Sequence, residues 1–60
     1  MKEYIVRFIR ADEKPNEDYY YNTIDEARSH YNLFVADDSG LYSKIVITND
    51  TGEVFAEMAF

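Results

Sequence analysis

The sequence contains a single histidine, His30, and it closes the stretch "DYYYNTIDEARSHYN" (residues 18–32) behind three consecutive tyrosines. Histidine alone has an ordinary pKa near neutrality, so acid–base chemistry would have to be built around this residue. The partners it would need are missing. No cysteine offers a thiolate, no serine stands in a strand-to-helix glycine elbow, and Ser29 beside His30 projects about 100° away from it on a helix. Zinc requires converging ligands at set spacing, and "DDSG" (37–40) is only a fragment resembling a calcium loop. The two glycines, Gly40 and Gly52, both stand in turn-like stretches, so no glycine-rich phosphate cradle can form. A catalytic, metal or cofactor site is therefore not expected, nor is a small-molecule substrate indicated.

Twelve acidic against six basic residues give a formal charge of −6. That balance repels phosphate backbones and anionic lipid heads, so direct nucleic-acid and membrane-surface binding are not expected. Sheet aromatics can stack single-stranded bases, but such surfaces need a basic surround. Glu3, Arg7 and Arg10 interrupt the first apolar stretch and no run reaches membrane-spanning length, which gives a cytoplasmic expectation.

Sixty residues make one domain, 1–60, and a chain of this length buries only about 60% of its unfolded surface. With 47% hydrophobic residues and no cysteine, a packed core is expected, but without disulfide support. A partner that covers apolar surface would supply part of what the core lacks.

Alternation in "EYIVRFIR" sets Tyr4, Val6 and Phe8 against Ile5, Arg7 and Ile9, the mark of a strand whose first set faces the core. "ADEKPNED" (11–18) reads as a polar connection. "DYYYN" (18–22) suits a second strand, with Tyr20 on one face and Tyr19 and Tyr21 on the other. "TIDE" (23–26) is a capping box that opens a helix expected over 24–37, with Ile24, Ala27, Tyr31, Phe34 and Val35 in one stripe and "DDSG" as its stop. His30 borders that stripe and Leu33 projects away from it. "LYSKIVITND" and "EVFAEMAF" around "NDTGE" read as a hairpin, with Val54, Ala56, Met58 and Phe60 facing the core against Phe55, Glu57 and Ala59. The last strand is expected inside the sheet rather than at its edge.

The order ββαββ predicts a two-layer α+β sandwich, one helix on a four-stranded, mainly antiparallel sheet, or βαββ if 18–22 is not a strand. Strand orders 2-1-4-3 and 2-1-3-4 both satisfy the pattern. One helix leaves one sheet face bare, carrying Ile5, Arg7, Ile9, Lys44, Val46, Phe55 and Glu57 as the expected partner-binding surface for a protein partner or homodimer. Tyr19, Tyr21 and Leu33 are secondary candidates.

Tiny, acidic, cysteine-free α+β proteins also resemble, in general character, the inhibitors that phages and mobile elements direct against host nucleic-acid enzymes. That resemblance implies an alternative in which Asp12, Glu13, Glu17, Asp18, Asp25, Glu26, Asp37 and Asp38 present carboxylates to a basic enzyme surface in place of phosphates.

Overall fold

The computed structural model describes residues 3–60, and their alternating apolar positions do become strands: β1 Tyr4–Arg10, β2 Glu17–Tyr21, β3 Tyr42–Asn49 and β4 Val54–Ala59, with one helix, α1 Ile24–Asn32. The sheet runs β2-β1-β3-β4 and every neighbouring pair is antiparallel. The architecture is the ββαββ sandwich that the patterning implies. Of the two strand orders, the chain takes the one that needs no parallel pair. Among the described residues no helix is long and apolar enough to cross a membrane.

The core lies between α1 and the middle of the sheet. Val6, Phe8, Ala27, Ile45 and Ile47 are at most 1% exposed, with Tyr4, Tyr21, Ile24, Tyr31, Phe34, Tyr42, Ala56 and Met58 packed around them. Phe8 is the hub: the rings of Tyr19, His30, Phe34 and Tyr42 stand 4.8–5.5 Å from its own, mostly edge-on.

Thr23 caps the helix as expected, its extended backbone at φ −128° and its Oγ1 accepting from the Glu26 N–H at 3.2 Å. The reciprocal half differs, because the Thr23 hydroxyl donates to the Glu26 carboxylate at 3.1 Å. The other end of the helix is also earlier than the apolar stripe suggests. Leu33, Phe34, Val35 and Asp37 N–H groups donate three residues back, to His30, Tyr31, Asn32 and Phe34, tightening the chain into turns. β-branched Val35 and the acids Asp37 and Asp38, which oppose the dipole at a helix C-terminus, explain the stop. Val35 is consequently 54% exposed rather than packed. Gly40, at φ +76°, serves the turn into β3 and not the helix cap.

The β3–β4 hairpin turns on one side chain. Asn49 Oδ1 accepts from Thr51 N–H, Thr51 Oγ1 and Glu53 N–H at 2.8–3.1 Å, while Gly52 takes the left-handed φ of +87°.

Three expectations for the last strand are overturned. β4 is an edge strand, not an internal one. Its register also slips, since Ala56 faces Ile47 but Val54 faces Thr48, leaving Phe55 as an extra residue. Val54 therefore turns with Thr48 to the outer face, 53% exposed, and Phe55 reaches the ring of core-packed Tyr4 at 5.5 Å. Phe60, expected in the core, is 48% exposed because α1 packs on β1, β2 and β3 and does not reach β4.

Candidate interaction surface

Antiparallel register arranges the uncovered face of the sheet in three crossing rows. The first is Tyr20, Ile5, Thr48 and Val54; the second is Asp18, Arg7, Val46 and Glu57; the third is Ile9, Lys44 and Ala59. The middle of this face is closed by two ion pairs. Arg7 Nε and Nη2 donate to the two carboxylate oxygens of Asp18 at 2.9 and 3.0 Å, and Lys44 Nζ lies 3.4 Å from Glu57 Oε1. The Arg7 fork matches the carboxylate in bidentate fashion, which fixes its orientation.

Val46 stands between Arg7 and Glu57 in register and is only 8% exposed, although no second layer covers it. The stems of its long neighbours shield it. To one side of this centre Tyr20 (51% exposed) and Val54 (53%) present apolar area with half-buried Ile5 between them, and half-buried Ile9 lies on the other side. Each cation of the three rows is matched by an anion, so this face carries balanced charge on a chain of −6.

Of the expected surface residues, Ile5, Arg7, Ile9, Lys44, Val46 and Glu57 do come together here. Phe55 does not, because the slip in β4 turns it toward Tyr4. Tyr20 and Val54 take its place. Tyr20 was legible in part, since alternation separates it from Tyr19 and Tyr21, but only pairing with Ile5 fixes which side is outer. Nothing in "VFAEMA" announces the slip that brings Val54 out.

The secondary candidates divide. Leu33, the helix C-cap, is 79% exposed and belongs to the helix end rather than to the sheet. Tyr19 and Tyr21 lie on the helix side, where they enclose His30 with Phe8 and Phe34 at ring separations of 4.7–5.8 Å. Tyr21 is tied there, its phenol oxygen 2.6 Å from His30 Nδ1. Burial among these rings lowers the His30 pKa below its ordinary value. The arrangement is a packed aromatic cluster in which the Tyr21 phenol is hydrogen-bonded to His30.

Above that cluster Arg10 spans Asp12 and Glu17 at 2.6–3.1 Å and lies over the Tyr42 ring. Hydrogen bonds from Arg10 hold both carboxyls below the usual range, while the Tyr19 and Tyr42 hydroxyls donate to Glu17. Three of the eight carboxylates considered for phosphate mimicry, Asp12, Glu17 and Asp18, are thus already paired with arginines. Asp25 and Glu26 sit at the opposite end of α1 from Asp37 and Asp38. Among the described residues there is no concave pocket, and no group of three or more His, Asp or Glu placed to hold a metal ion.

No protein-family model, curated protein or solved structure matches this chain. What fold and surface define is a small α+β sandwich with one helix-covered face and one open one.

Proposed function

We propose that this protein is a non-catalytic interaction module that docks a protein partner on the open face of its sheet. One observation carries the reading: on an acidic chain, the uncovered face combines balanced charge with half-exposed apolar side chains. Charge balance avoids net repulsion where this surface meets another protein, and the two ion pairs give a docked partner a fixed polar pattern to match. Completing the burial of Tyr20 and Val54 contributes about 1 kcal/mol or more each, roughly half of what full burial of such side chains is worth. For a domain this small that gain is a sizeable share of total stability. Phosphate mimicry draws weaker support, because its carboxylates are split between the two ends of the helix and three of them are paired internally.

A photo-crosslinking residue placed at Tyr20, with a second at exposed Arg28 on the helix as reference, tests this in cells that express the protein. A discrete adduct formed from position 20, suppressed by excess unlabelled protein and absent from position 28, is the expected outcome. Adducts of equal yield from both positions, or from position 28 alone, would remove the open face as the docking surface.

A further inference from the structure

β4 leaves half of its backbone unpaired. The Phe60 N–H donates to the Ser43 carbonyl at 3.0 Å, and Lys44–Ala59, Ile45–Met58, Val46–Glu57 and Ile47–Ala56 continue the ladder in register. Bonded and non-bonded pairs alternate along an antiparallel ladder, so Ala56, Met58 and Phe60 bond to β3 while Glu57 and Ala59 aim their N–H and C=O groups outward. The slip at Phe55 confines the regular open stretch to residues 56–60. Proteins usually blunt such an edge with lysine, proline, an inward charge or a covering helix. "VFAEMA" has none of the first three and α1 does not reach it; what it does carry, the slip at Phe55 and the single charge of Glu57, leaves the stretch from Ala56 onward regular. The opposite edge, β2, carries two adjacent acids, Glu17 and Asp18, against the single Glu57 of β4.

We propose that β4 pairs antiparallel with β4 of a second copy about a two-fold axis at Met58, joining two four-stranded sheets into one. Open backbone groups specify an extended strand as the occupant, and three features select a second copy in this register. In it Glu57 pairs with Ala59 of the second copy and Ala59 with its Glu57, so both outward-facing residues are used twice over. On the helix side Phe60, 48% exposed, comes to lie opposite Ala56 of the second copy, a large side chain against a small one, and Met58 meets Met58. The charges also agree. Lys44 neighbours Ala59, so each Glu57 lies between its own Lys44, 3.4 Å away, and the Lys44 of the second copy across the small Ala59, about 10 Å off at two strand spacings. An axis at Glu57 would instead set that carboxylate against itself. The contact is isologous and closes on itself, as two-fold interfaces do. It goes beyond the docking reading, because the seam uses the rim of the sheet and leaves the open faces free, now joined side by side.

Sedimentation equilibrium from micromolar to millimolar concentration, combined with amide hydrogen exchange, tests the seam on the full chain. The expected mass rises from 7.1 kDa toward twice that value. Exchange at the Glu57 and Ala59 amides slows with concentration, while Met58 is protected throughout. Ala59→Pro removes an N–H that the monomer does not use, and Ala59→Glu faces Glu57 with a like charge. Both are expected to stay at monomer mass with an unchanged circular dichroism spectrum, and Ala59→Glu keeps the test open should the proline disturb folding. Tyr20→Glu is expected to dimerise normally, which separates the seam from the open face. A monomer at every concentration overturns the proposal, as does a dimer whose Glu57 and Ala59 amides exchange freely. A dimer kept by Ala59→Glu but lost in Tyr20→Glu moves self-association to the open face and likewise overturns it.

Discussion

The phenol oxygen of Tyr21 lies 2.6 Å from Nδ1 of His30, joining β2 to α1 inside a ring of aromatic side chains. That separation fits a phenol donating to an unprotonated imidazole nitrogen, with the ring proton on Nε2. Protonation of His30 would reverse this bond, Nδ1–H donating to the phenol oxygen, and would place a charge within an apolar surround, the burial that lowers its pKa.

Stability should therefore fall as pH drops below 6.5, the ordinary histidine value. In that range the unfolded chain binds the proton and the folded chain resists it, so the advantage present above 6.5 is lost as pH falls through the folded value. Urea midpoints measured from neutral to mildly acidic pH should decline for the native chain and flatten in His30→Phe. An equal slope in both would show that His30 is not the group responsible.

A second, more acidic limb should come from Arg10. Its hydrogen bonds depress the Asp12 and Glu17 pKa values, so their contribution is complete above the ordinary carboxylate range and disappears as pH falls below about 4. Arg10→Ala should be less stable than the native chain at neutral pH, and the gap between them should narrow in acid. A gap that stays constant would assign the loss to packing on Tyr42 instead.

Phe8 sets the tolerance of the core. At 0.05–0.15 kcal/mol per residue, 60 residues give a total stability of roughly 3–9 kcal/mol, and Phe→Ala in a core costs about 3–5. Phe8→Ala should remove about half or more of that stability, read as a much lower urea midpoint, whereas Phe8→Leu should lose far less. A cooperative melt in Phe8→Ala close to the native one would contradict the hub role given to this ring.

Asn49 organises the hairpin through three hydrogen bonds to one oxygen. Asn49→Ala should cost about 1–2 kcal/mol, since the groups it frees are exposed and regain water. Asn49→Asp keeps the acceptor but sets a carboxylate against Glu53, to which the Asn49 Nδ2 donates at 3.3 Å, so it should recover only part of that loss, a comparison that chemical denaturation resolves directly.

Glu13 holds a left-handed φ of +66° at the tip of the β1–β2 connection, where only glycine is free of a steric penalty. Glu13→Gly should raise stability by up to about 1 kcal/mol, net of the extra freedom glycine gives the unfolded chain. A lower melting temperature would mean that the Glu13 side chain contributes more than its backbone costs.

Period-two alternation in β1 and β3 was sufficient by itself to find both strands, to assign Val6, Phe8, Ile45 and Ile47 to the core, and to leave Ile5, Arg7, Ile9, Lys44 and Val46 on a common outer face. The Thr23 cap likewise marked where α1 begins. These features are local: they depend on which way successive side chains point and on hydrogen bonds within a turn. The position of β4 at the rim, the choice between two strand orders and the partnership of Tyr20 with Ile5 depend on which strands meet, and no short stretch of sequence carries that information. The side taken by Phe55 needed both kinds of knowledge, because one inserted residue reverses the alternation and shows itself only against the register of β3. So the sequence determined the apolar and polar sets of each element. Tertiary pairing decided which of them stayed uncovered, since the burial of a strand's two faces and of its edge is a property of its neighbours.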